Sequence, residues 1–68
     1  MSAKEMFEKL RYKQTNNDNY LTCYSNEEEN YYIYFYNYWK KIEVLHDITM
    51  KELQAINKQV EELGWDNE

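Results

Sequence analysis

The residues of this chain that could do chemistry are few. His46 stands beside Asp47, an imidazole and a carboxylate that together can pass a proton near neutral pH. The sequence around them supplies neither a nucleophile nor the donors that would hold an oxyanion, so the segment reads first as a solvated linker. His46 and Cys23 are the only histidine and the only cysteine, too few for a zinc site within one chain. The thiol is most simply a small core residue. The single glycine, Gly64, leaves no glycine-rich loop to cradle phosphate. Asn16, Asp18 and Glu27 have part of the spacing of a calcium loop, but Tyr20 and Leu21 occupy positions where that loop needs an oxygen ligand and a glycine. The expectation is a chain with no catalytic residues, no cofactor and no metal, and therefore not an enzyme.

What remains is a surface. Eight tyrosines are spread over 68 residues, and three of them, Tyr32, Tyr34 and Tyr36, alternate with Ile33 and Phe35. On a strand that alternation sends the tyrosines to one face and Ile33 and Phe35 to the other. Tyr24, with Tyr20 and Thr22, is expected to continue the tyrosine face on the neighbouring strand. One reading is sheet stabilisation, since tyrosine suits half-exposed strands. The other is a partner-binding face, since tyrosine offers rigid contact area with a polar tip. Glu27, Glu28 and Glu29 form an acidic turn that is either solvated or docks a basic patch. The candidate partner-binding set is thus Tyr24, Tyr32, Tyr34, Tyr36, Glu27, Glu28 and Glu29.

The elements that must position these residues are legible. Thr49 and Glu52 have capping-box spacing, and Ile48 with Leu53 has that of a hydrophobic staple. Apolar residues then recur at Met50, Leu53, Ile56, Val60 and Leu63, one stripe of a helix. Gly64 sits where a helix stop favours a left-handed residue, which lets Trp65 fold back on Val60. Ser2 and Glu5 make a second capping box for a helix from Ser2 to Arg11. Tyr12 to Asn19 is polar and turn-rich and reads as a loop. Strands are expected at Tyr20 to Ser25, Tyr31 to Tyr36 and Lys41 to Leu45, joined by loops at Asn26 to Asn30 and Asn37 to Lys40. That register sets Phe35 opposite Ile42 and Ile33 opposite Val44. The expected fold is α+β: helix, three-stranded antiparallel meander, helix, in two layers with both helices on one face. The expected core is Met6, Phe7, Leu10, Leu21, Cys23, Ile33, Phe35, Ile42, Val44, Leu53, Ile56, Val60 and Leu63, with Trp65 at its edge.

Length implies a single domain over residues 1–68. The net charge is −5, with the eight cations scattered along the chain, which disfavours nucleic acid and anionic membrane as partners. No apolar run approaches the ~20 residues of a membrane span. The opening MSAKEMFEKL is charged and periodic, unlike a signal peptide, and a lone thiol suits a reducing compartment. A cytoplasmic location is expected. A small domain without a disulfide also benefits from a protein partner or self-association, a homodimer included.

The opening KEMFEKL and the segment ITMKELQAINKQVEELGW resemble small uncharacterised proteins encoded by phages and prophages of Gram-positive bacteria. The resemblance extends over nearly the whole chain. It implies a phage accessory protein acting in a bacterial host cell, with no reaction attached. The chain departs from the pattern at Arg11-Tyr12, where the resembled proteins tend to have Gly-Tyr. The expected function is a non-enzymatic protein–protein interaction module that modulates a host or phage protein. The alternative is single-stranded nucleic-acid binding through stacked tyrosines.

Overall fold

A computed structural model describes residues 1–65. Two helices and four strands follow in the order α1 (Ala3–Lys9), β1 (Lys13–Asn17), β2 (Leu21–Asn26), β3 (Tyr31–Tyr36), β4 (Lys41–Val44) and α2 (Met50–Leu63). The strands form one antiparallel sheet with neighbours in sequence order. The fold is α+β, but the meander has four strands where three were expected. The extra strand is β1, inside the segment read as a loop. Its sequence, KQTNN, has no apolar residue to signal it. It is held by pairing with β2, Lys13 opposite Ser25 and Asn17 opposite Thr22, with an irregularity between Gln14 and Asn16. An edge strand with a bulge can be polar because it buries little. The turn after it is built by Asp18, whose Oδ1 accepts the backbone N–H groups of Tyr20 and Leu21 at 2.8 and 2.9 Å.

Both helices start as their sequences dictate. Ser2 and Thr49 each accept from the third helical N–H while Glu5 and Glu52 reach back, so both capping boxes close. Gly64 ends α2 at φ 75°, the left-handed residue the stop requires. Trp65 goes to the sheet, its ring edge-on to Phe35 at 6.2 Å. The end of α1 is less comfortable. Arg11 is left-handed at φ 70°. Its N–H bonds Glu8 O at 3.0 Å, and the Tyr12 N–H bonds Phe7 O at 2.9 Å. This is a Schellman closure, with Tyr12 packed edge-on to Phe7 at 5.6 Å as its hydrophobic contact. A glycine suits that position without steric penalty, whereas a side chain there costs about 1–2 kcal/mol.

The register of β3 with β4 is the expected one, Phe35 opposite Ile42 and Ile33 opposite Val44. That of β2 with β3 is not. Asn26 pairs with Tyr31, so the turn is the four residues Glu27 to Asn30, one fewer than the expected loop. A one-residue slip turns every side chain of the strand to the other face. Tyr24 therefore stands opposite Ile33 and Thr22 opposite Phe35 on the helix side. Tyr24 is fully buried, stacked on Phe7 at 4.0 Å. Cys23 lies opposite Tyr34 on the other face and is buried there.

The core joins Phe7 of α1, Tyr12, Tyr24, Ile33 and Phe35 of the sheet side, and Ala55 and Ile56 of α2. Both helices thus pack on one face. Met6, Leu10, Val44, Val60 and Leu63 line the cluster partly buried. Ile42 is 39% exposed rather than core, because β4 is the outermost strand, and Leu21 is only half-buried. On α2 the buried line is Glu52, Ala55, Ile56 and Gln59, while Met50 is exposed and Leu53 half-buried. The helix is rotated from its apolar stripe because two polar residues on it find partners inside.

Candidate functional site

Tyr32, Tyr34 and Tyr36 project from β3 on the face away from the helices, as their alternation requires. Their rings stand near-parallel in a ladder, with centroids 6.1 Å apart at both steps and tilts of 13° and 21°. Tyr32 is exposed; Tyr34 and Tyr36 are half-buried by their neighbours. The Tyr36 hydroxyl donates to Glu43 Oε1 at 2.9 Å and that of Tyr32 to Asn30 Oδ1 at 3.2 Å. The bond to Glu43, with burial second, raises the Tyr36 phenol above its ordinary range, so it stays neutral at physiological pH. Across the strands the same face carries Lys41 beside Tyr36, Glu43 beside Tyr34, and Lys13 beside Ser25 at the far edge. The ladder is flanked by both signs of charge.

Glu27, Glu28 and Glu29 are exposed on the β2–β3 turn, next to the Tyr32 end of the ladder. Arg11 reaches Glu28 at 3.4 Å, an exposed pair of little energetic consequence. Tyr24 is not part of this surface. The register that buries it separates it from the other candidates, and its hydroxyl donates to Gln59 Oε1 at 2.5 Å while accepting from Gln14 Nε2 at 3.1 Å. Asn16 is on β1 opposite Cys23 while Glu27 lies beyond the end of β2, and among the described residues no group of His, Cys, Asp or Glu is arranged to hold a metal ion. No described helix is long and apolar enough to cross a membrane.

His46 is not a solvated linker. Its ring stacks on Tyr31 at 3.8 Å with a 2° tilt, and its partner is Glu52 rather than Asp47. His46 Nε2 lies 3.0 Å from Glu52 Oε2 and 3.1 Å from the Tyr12 hydroxyl. Tyr12 donates to the same oxygen, and Glu52 Oε1 accepts the Thr49 N–H at 2.8 Å. Burial opposes the Glu52 carboxylate, but the bonds from Tyr12, Thr49 and His46 outweigh it and hold its pKa at about 2. Burial first, then Glu52, pushes the Tyr12 phenol well above its ordinary range. Both carboxylate oxygens are thus engaged, and one face of the imidazole is covered by Tyr31. The cluster ties the end of α1, the β4–α2 connection and the first turn of α2 together. It acts as a clasp.

Sequence reasoning missed this clasp because Tyr12 lies 34 residues from His46 and 40 from Glu52. A signal did exist. Glu52 and Gln59 are seven residues apart, two turns along one helix face, so both polar groups point at the sheet together. Each meets a tyrosine hydroxyl there.

No protein-family model, curated protein or solved structure matches this chain.

Proposed function

We propose that the chain is a non-enzymatic interaction module, a phage accessory protein of the bacterial cytoplasm that binds another protein through the Tyr32–Tyr34–Tyr36 face. One observation carries the reading: three tyrosines stand in register on a sheet face that neither helix covers. Aromatic surface with hydroxyl tips matches the composition of protein interfaces, and exposed patches of this kind mark contact sites. The acidic turn beside Tyr32 favours a partner with a basic rim, which it would also steer during encounter. Nucleic acid is disfavoured by the net charge of −5 and by Glu43 within the face.

The test is site-specific photocrosslinking in the host cell, with a crosslinker at Tyr34 and, as control, at exposed Lys4 on α1. A protein captured from Tyr34 alone, whose purified form loses affinity for the Tyr32→Ser/Tyr34→Ser variant, supports the reading. Equal capture from both positions, or salt-sensitive binding of single-stranded DNA in place of protein, overturns it.

A further inference from the structure

The two edges of the sheet are not alike. β1 is wholly polar and carries a bulge, two devices that keep an edge from recruiting another strand. β4 pairs regularly with β3 along its whole length and has no such irregularity. Around its outer edge lie large exposed apolar side chains: Trp39 at 65%, Ile42 at 39% and Leu45 at 86%. Lys41 and Glu43, also exposed, alternate with Ile42.

The charges of β4 are self-complementary about Ile42. Lys41 and Glu43, of opposite charge, flank Ile42, and Lys40 and Val44 come next. In an antiparallel pair centred on Ile42, Ile42 meets its own copy and Lys41 stands opposite the second copy's Glu43. Lys40, which closes the β3–β4 turn, comes alongside the second copy's Val44 at either end. Ile42 meets its copy once, on the axis, and each other contact occurs twice, as a two-fold axis requires. The adjacent register, centred on Glu43, sets two carboxylates against each other and Lys41 against Leu45. Charge therefore selects the first.

We infer that β4 is a self-association edge, at which two copies of this chain pair antiparallel about Ile42 into a continuous eight-stranded sheet. The occupant is a second copy because the Lys41 and Glu43 charges complement themselves about Ile42 and need no other sequence. Lys41 would by itself guard an edge, but in this register each Lys41 finds a carboxylate. An axis perpendicular to the sheet keeps all four helices on one side. It also places the two tyrosine ladders on the other, about 14 Å apart across three strand spacings. The inference does not depend on what the ladder binds.

The experiment is a charge exchange read by sedimentation equilibrium over roughly 10–500 µM, a range suited to a small interface. Circular dichroism confirms folding of each variant. The wild type is expected to be a dimer in that range. Lys41→Glu alone and Glu43→Lys alone each turn two attractive cross-strand pairs into repulsive ones and weaken the dimer by about tenfold or more. An equimolar mixture of the two single variants restores association, because each supplies the charge the other lacks. So does the double variant Lys41→Glu/Glu43→Lys. Tyr32→Ser/Tyr34→Ser leaves the dimer intact, which separates this surface from the ladder. A wild type monomeric throughout the range overturns the inference. So does a dimer indifferent to the single changes, or singles that do not recover on mixing.

Discussion

Replacing Glu52 with glutamine isolates the charge in the clasp. Glutamine is nearly the same size and can also close a capping box, so the helix start survives while the carboxylate is lost. Glu52 titrates at about 2 in the folded protein against 4.5 ordinarily. At ~1.36 kcal/mol per pKa unit this is about 3 kcal/mol of stability. The sign follows from the direction of the shift. A depressed carboxylate stabilises fully above its unfolded pKa, and that stability is lost as pH falls from 4.5 toward 2. The assay is urea unfolding, followed by circular dichroism, of wild type and Glu52→Gln at steps between pH 2.5 and 5. Glu5 and Asp18 are also held below the usual carboxylate range, Glu5 by Ser2 and Asp18 by the N–H groups of Tyr20 and Leu21. They are present in both proteins, so the readout is the difference between the two. That difference should be about 3 kcal/mol at pH 5 and shrink by about 2 kcal/mol by pH 2.5. A gap that stays constant across the range would refute the charged clasp and leave Glu52 a helix cap only.

Two further outcomes test the rest of the fold. Arg11→Gly should raise stability by about 1 kcal/mol, because it relieves a left-handed side chain and forfeits only an exposed ion pair with Glu28; a lower melting temperature would contradict the strain. Tyr24→Phe should cost about 1–3 kcal/mol by stripping Gln59 of its buried partner, whereas Tyr36→Phe, on the outer face, should cost under about 0.5 kcal/mol. Equal losses in thermal melts would mean that β2 is assigned to the wrong face.

Local order was written in local residues. Ser2 with Glu5 and Thr49 with Glu52 start the helices, Gly64 stops the second, and the alternation from Tyr31 to Tyr36 sets which tyrosines face outward. All depend on neighbours within a few positions, so sequence suffices. Arg11 is left-handed, at a position where a glycine would carry no steric penalty. Three features depended on residues distant in the chain. β1 exists because β2 offers it a ladder, which no property of KQTNN announces. The face of β2 turned on one residue in the length of the Glu27–Asn30 turn, and a turn shorter by one inverts a strand. That inversion moved Tyr24 from the expected surface to the core. The rotation of α2 and the clasp followed from hydroxyls that reach across the layers to Glu52 and Gln59. Apolar periodicity is blind to such pairs, because a buried polar group is tolerated only when a partner from elsewhere in the fold arrives to satisfy it.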